Sequence, residues 1–171
     1  STLLYSSAAS DVYKRQVDYW SLSTAFDVST ATFDDGYDIK GQEKRANSIA
    51  FNNDGTRMFI AGVGDLTQVR IHEYSLDIAF DLSSGTTHLN SEDLNSFHDH
   101  IDGVSFNYDG TKMYTIDGSE GKISQFKLTT PYDVSTLSLE GTFSVKSVVT
   151  SAREVAFSNN GSKMFIIDDT N

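Results

Sequence analysis

Large apolar and small residues alternate in three short runs: Ile49-Ala50-Phe51, Val104-Ser105-Phe106 and Val155-Ala156-Phe157. A period of two is that of a β-strand, and small residues where polar ones would be usual predict a sheet packed on both faces. Each run leads into a glycine-closed turn, at 53–55, 108–110 and 159–161, where glycine tolerates the positive φ a hairpin demands. A second strand, apolar on both faces, is predicted from Met58 to Ala61 and at the copies beginning with Met113 and Met164. All three methionines of the chain hold this one position, which assigns them to the core. A third strand is predicted at about 68–76 and 122–128, closing on an aromatic-x-Leu pair: Trp20 and Leu22, Tyr74 and Leu76, Phe126 and Leu128. The more polar segments 31–40, 85–92 and 137–145 read as outermost strands. No 3.6-residue period is sustained, so a helical bundle is excluded.

These strands belong to a repeat. Phe51 to Phe106 is 55 residues and Phe106 to Phe157 is 51; Asp27 to Asp81 is 54 and Asp81 to Asp133 is 52. A period near 50 with four antiparallel strands per unit predicts an all-β fold, a β-propeller fragment of about three blades, two of them complete. In units counted from the outer strand, 17–30 is a partial blade, 31–84 and 85–136 are whole, and 137–171 is partial. Closed propellers usually have about 4–8 blades, so the chain is expected to be a piece of a larger protein. An open stack would leave two apolar faces uncovered, which predicts association, with the remaining blades or as a homo-oligomer. Residues 1–16 match no part of the repeat; they resemble a translated sequencing-adapter tail and are set apart from the fold.

Composition narrows the function. The 171 residues carry 13 Lys plus Arg against 24 Asp plus Glu, a net charge of -11, which repels nucleic-acid phosphates. There is no cysteine, hence no disulfide, thiolate metal site or Cys nucleophile. No apolar run reaches the roughly 18 residues of a membrane helix.

The strings FNNDGTRMF, FNYDGTKMY and FSNNGSKMF, with YSLDIAFDLSS and FKLTTPYDVST, resemble the blade repeats of bacterial and phage propellers similar to the Tol-B, YVTN and gluconolactonase-like groups. The resemblance covers 17–171. It implies a six- to eight-bladed propeller, secreted or at the cell surface, that presents loops to a protein or carbohydrate ligand. In gluconolactonase-like enzymes a divalent metal sits in the central channel on acidic and amide side chains; the aligned positions here are Asn47, Asp102 and Arg153, with Glu154 beside the last.

One cluster carries possible chemistry: Phe97 to Gly103, reading FHDHIDG. His98 and His100, two apart in an extended segment, would share one side, and Asp99 or Asp102 could add a carboxylate, a plausible divalent-metal set with Asn47. Arg153 opposes a cation there. The alternative is a polar loop whose His and Asp bond one another or water. His72 and His88 stand isolated on strands, with roles in packing or solvation. The Asp-Gly turns do not fit an EF-hand, since Gly55 as position six puts Ala50 at position one. The stretch 118–122 is too short for a phosphate loop, and no Gly-x-Ser-x-Gly elbow is present. Asp27, Asp81 and Asp133 recur in every unit and are expected to satisfy backbone donors in the connection. The leading expectation is a non-catalytic binding or structural module; the alternative is a metal-dependent gluconolactonase-like hydrolase.

Overall fold

The computed structural model describes residues 15–63 and 68–169; of the segment 1–16 set apart in sequence, 1–14 lie outside the described residues, while Gln16 pairs with Asp38 in a strand and Arg15 O accepts the Ile39 N–H. Two complete four-stranded antiparallel sheets follow each other. The first contains β3 (Ala46–Phe51), β4 (Arg57–Val63), β5 (Val69–Ile78) and β6 (Asp81–Asp93); the second contains β7 (Gly103–Phe106), β8 (Lys112–Asp117), β9 (Lys122–Leu128) and β10 (Leu137–Ser144). In both, neighbours in sequence are neighbours in the sheet. A strand pair stands at either end: β1 (Gln16–Leu22) with β2 (Ala31–Asp38), and β11 (Ala152–Phe157) with β12 (Met164–Asp168). No α-helix occurs among the described residues, only 3₁₀ turns at Val28–Thr30 and Val134–Thr136. The hydrogen-bonded sheets run 46–93 and 103–144, so units counted as 31–84 and 85–136 begin with the outer strand of one sheet and end inside the next.

Three apolar layers hold the sheets together. Tyr74, Leu76, Met58 and Ile60 of the first sheet pack against Tyr19 and Tyr37 of β1–β2. Phe59, Ala61 and Ile71, on its other face, meet Val104, Met113 and Phe126. Ile116 and Ile123 meet Val155 and Phe157. The alternation in the inner strands thus serves two layers, with Ala50 turned to one and Phe51 to the other. Each fully buried side chain such as Phe59 or Phe126 contributes roughly 1.5–3 kcal/mol.

The methionine expectation needs correction at one position. Met58 and Met113 are buried, but Met164 is 36% exposed, and Phe165 and Ile167 beside it are open to solvent. Ile49 is likewise exposed, whereas its counterparts Val104 and Val155 are buried. Among the described residues no sheet lies beyond the Phe165 and Ile167 face of β12, Met164 faces the second sheet but has no strand beside it on the far edge of β12, and the β1–β2 pair does not extend over Ile49.

The turns are coupled to the connections. Phe26, Phe80 and Tyr132 have φ of 64, 59 and 58°, a left-handed conformation unusual for an aromatic residue. The Phe80 N–H donates to Gly55 O at 2.9 Å and the Tyr132 N–H to Gly110 O at 2.9 Å. Each ring lies flat over its glycine, so a Cβ at Gly55 or Gly110 would collide with it. Next in sequence, Asp27, Asp81 and Asp133 accept the N–H and O–H of Ser29, Ser83 and Ser135, the donor-satisfying role expected from their repetition. Bonds from the serine hydroxyls, then from the serine amides, hold Asp27 and Asp81 below the usual carboxylate range.

One buried carboxylate bridges the two complete sheets. Glu73 on β5 is fully buried, pairs with Arg57, and accepts the Val134 N–H of the next unit at 3.0 Å.

Candidate functional site

The residues proposed from sequence lie where the inner strands β3, β7 and β11 begin. Ile101 is buried and anchors the segment before β7, and the Asn47 amide donates to its carbonyl at 2.8 Å. His100 follows, with Nε2 3.4 Å from Asn47 Nδ2 and Nδ1 3.4 Å from Asp102 Oδ2. Asp102 also accepts the Gly118 N–H at 2.8 Å on Oδ2, and its Oδ1 lies 3.4 Å from Arg153 Nη1. Arg153 in turn donates twice to Asp169, at 2.6 and 2.9 Å. Asn47, His100 and Asp102 therefore do come together, in a chain that runs on through Arg153.

His98 departs from that set. The segment is not extended: the His98 N–H closes a turn on Leu94 O at 3.0 Å, so the two histidines do not share a side. The His98 ring is buried, its Nε2 2.7 Å from Thr115 Oγ1. Burial, helped by the nearby Lys122 charge, pushes it down to about 4, so it is neutral at pH 7. Asp99 is exposed. Glu154, beside Arg153, is raised by burial against a bond from the Val155 N–H.

A channel metal of the gluconolactonase kind does not fit this arrangement. Both Asp102 oxygens already face N–H donors, and the guanidinium beside them is permanently charged. Asn47 presents its amide nitrogen to His100, not its oxygen.

A different trio was missed in the sequence. His98, Asp117 and Glu120 each offer a ligand atom within 4.8 Å of the others. Asp117 ends β8 and Glu120 lies in the turn after it, so the shared topology, not sequence spacing, brings His98 to them. Their oxygens are largely engaged. Asp117 Oδ1 accepts from Ser119 N, Ser119 Oγ and Glu120 N, and Oδ2 from His100 N; Glu120 pairs with Lys122. Burial raises the Asp117 carboxyl, but these bonds outweigh it and hold the group below the usual range.

His72 and His88 are not isolated. His72 Nδ1 lies 2.7 Å from Ser91 Oγ, which is also 2.9 Å from His88 Nε2, and His72 Nε2 is 3.6 Å from Glu43 Oε2. The order serine, imidazole, carboxylate resembles a nucleophile relay. Yet Glu43 and His72 are sealed from solvent and the hydroxyl is shared by two imidazoles, so the cluster ties β5, β6 and the 39–45 segment together. Burial, then the His72 charge, lowers His88. The cross-strand pairing of residues 72 and 91 could be read only with the register in hand.

Neither a protein-family model nor any curated protein matches the chain. Solved structures do. A presumed 6-phosphogluconolactonase from Bacteroides uniformis is 14% identical with a TM-score of 0.56, over 91% of this chain and 48% of that one. A second, from Bacteroides fragilis, is 11% identical with a TM-score of 0.55, over 90% and 42%. A protein of unknown function from Desulfotomaculum acetoxidans is 8% identical with a TM-score of 0.53, over 91% and 57%. The chain thus spans about half the length of these chains, and at such identities the likeness is one of fold: an all-β chain of successive antiparallel sheets.

Proposed function

We propose that the chain is a segment of a β-propeller serving as a non-catalytic binding or structural module of a secreted or cell-surface protein, with a protein or carbohydrate ligand. The propeller reading rests on the two complete four-stranded sheets in identical strand order, repeated at the sequence period and packed face to face. The observation that carries the non-catalytic reading is the bonded chain Asn47, His100, Asp102, Arg153, Asp169 across the starts of the inner strands. It contains a single shielded carboxylate at the aligned positions and a fixed cation beside it, an arrangement that neither gathers a divalent metal nor activates water. The test is turnover. The purified chain, dialysed against chelator and then supplied in turn with calcium, manganese and zinc, is expected to leave sugar lactones and phosphoesters unhydrolysed. Metal-dependent hydrolysis above background would overturn the reading.

The rival is a metal-dependent gluconolactonase-like hydrolase. One observation favours it: Asn47 of β3 meets His100 and Asp102 of the segment that leads into β7, as that chemistry would ask. It requires stoichiometric metal by elemental analysis and loss of that metal in Asp102→Asn.

A further inference from the structure

The turn that carries His98 recurs ahead of each inner strand. The His98 N–H closes on Leu94 O at 3.0 Å, the Glu43 N–H on Ile39 O at 2.8 Å and the Val149 N–H on Val145 O at 2.8 Å, so residues 43, 98 and 149 hold one place in the fold. Glu43 and His98 are buried there, and Val149 packs on the third apolar layer. A valine fills the place in one unit, so packing alone does not call for an imidazole. The neighbour of this place is the end of the second strand. In the first sheet that neighbour is Gly62, where a Cβ would come within 2.8 Å of the Glu43 carboxyl carbon. With Met58 and Met113 aligned, the Gly62 position of the second sheet is Asp117. Its turn adds Glu120, and among the described residues this is the one trio of ligand-bearing side chains with atoms all within 4.8 Å.

We propose that His98, Asp117 and Glu120 bind a zinc ion, which ties the segment before β7 to the turn between β8 and β9.

The imidazole supplies the observation that asks for a ligand. Nε2 is taken by Thr115 Oγ1 at 2.7 Å, while Nδ1 is buried with no hydrogen-bond partner. With the proton on Nε2, Thr115 accepts it and Nδ1 is left with a bare lone pair; with the proton on Nδ1, a buried N–H is left without an acceptor. Only the first form can be satisfied by a cation. An imidazole whose second nitrogen donates to a fixed oxygen is also how histidine is oriented on a metal.

The oxygens retain capacity. A carboxylate has about four lone-pair sites. Asp117 Oδ1 accepts three bonds, but Oδ2 accepts only the His100 N–H at 3.1 Å. Glu120 Oε2 pairs with Lys122, and Oε1 has no partner among the described residues. Zinc bonds of about 2.0–2.2 Å place tetrahedral ligand atoms about 3.3–3.6 Å apart, so the trio has to contract by about 1 Å. The Glu120 side chain, 40% exposed, has room to supply that movement. One nitrogen with two carboxylate oxygens suits zinc; calcium and magnesium take oxygen throughout. Lys122 competes for Glu120, and its side chain, 30% exposed, can turn to water when the ion enters.

The test is zinc titration of the whole chain after chelator treatment, read by calorimetry and by melting temperature. One zinc per chain is expected, with melting raised by about 5–10 °C when zinc is 100 times its dissociation constant. His98→Val, which installs the residue of position 149, and Glu120→Gln, at a half-exposed position, leave the fold intact. Losing a ligand costs more than the about 10–100-fold of an outer partner, so each weakens zinc at least about 100-fold. Lys122→Gln removes the competing cation and tightens zinc about 3- to 10-fold. Calcium at the same concentrations leaves the melting temperature unchanged. No saturable zinc binding overturns the proposal, as does binding untouched by His98→Val and Glu120→Gln. Zinc lost in Asp102→Asn but kept in those two variants also overturns it and favours the channel metal of the rival hydrolase. Zinc bound as expected with no lactone or phosphoester turnover supports the site and leaves the non-catalytic reading standing.

Discussion

Glu73→Leu tests how the sheets are tied. The carboxylate accepts the buried Val134 N–H across the interface and pairs with Arg57, whose side chain is 37% exposed. Leucine fills much of the space but accepts nothing, so the Val134 N–H is orphaned at about 1–3 kcal/mol. Arg57 loses its partner but reaches water, so its share is smaller than the about 3–5 kcal/mol of a fully buried broken pair. The sum is about 3–4 kcal/mol, a large part of the about 5–15 kcal/mol that stabilises an ordinary domain. With a urea slope of about 2 kcal/mol per molar, the midpoint falls by about 1.5–2 M. Glu73→Gln keeps an acceptor for Val134 and is expected to cost only about 1 kcal/mol. Hydrogen exchange adds a local reading: the Val134 amide stays protected in the glutamine variant and exchanges rapidly in the leucine one. Equal midpoints for the two variants, or a leucine variant as stable as the parent, would refute the reasoning.

Acid should act through His98. Its pKa is lowered to about 4, so the folded state binds the proton less well than the unfolded state; the stabilisation is full above about pH 6.5 and is lost as pH falls toward 4. Beside burial, the Lys122 charge opposes its protonation and the Asp117, Glu120 and Asp99 carboxyl groups favour it, and Asp117, itself lowered, adds loss in the same direction at lower pH. The unfolding free energy of His98→Gln from urea curves is expected to fall between pH 7 and 4 by about 3 kcal/mol less than the parent's; parallel curves would count against the assignment. Gly110→Ala forces a left-handed alanine under the Tyr132 ring and is expected to cost more than about 2 kcal/mol in thermal unfolding. Gly161→Ala, with the same φ and open space above it, should cost about 1 kcal/mol in the single chain. Asp133→Ala removes the acceptor for Ser135 and should cost about 1 kcal/mol by the same measurement.

The strands were legible because the repeat fixed them three times over: alternation in the inner strand, the glycine turn and the aromatic-x-Leu pair each recur at matching offsets. What depends on a single copy was not. Ile49 and Met164 look like their buried counterparts in sequence and differ in what surrounds them, Ile49 having no strand over it and Met164 no strand beside it. At the inner-strand ends, the meeting of Asn47, His100 and Asp102 could be anticipated by aligning units. The inward turn of His98 could not, because it depends on a turn closed on Leu94 that no periodicity marks. The Ser91, His72, Glu43 cluster was hidden for a similar reason: its members come from two paired strands and a connection, and the bulges in that pairing shift the register.

The aromatic rings over Gly55 and Gly110 set an order of events. The hairpin formed by β3 and β4 closes its own turn through bonds between Asn52, Gly55 and Arg57, but Gly55 stays uncovered until the chain has run out through β5 and brought Phe80 back to it. The aromatic cover therefore follows the hairpin, and the sequence separations involved, 55 to 80 and 110 to 132, are far shorter than those linking one sheet to the next. Each sheet is accordingly a block that condenses whole, with stacking a later and slower step. On refolding, the Phe80 and Tyr132 amides would gain protection together with their own strands, before Val134 does.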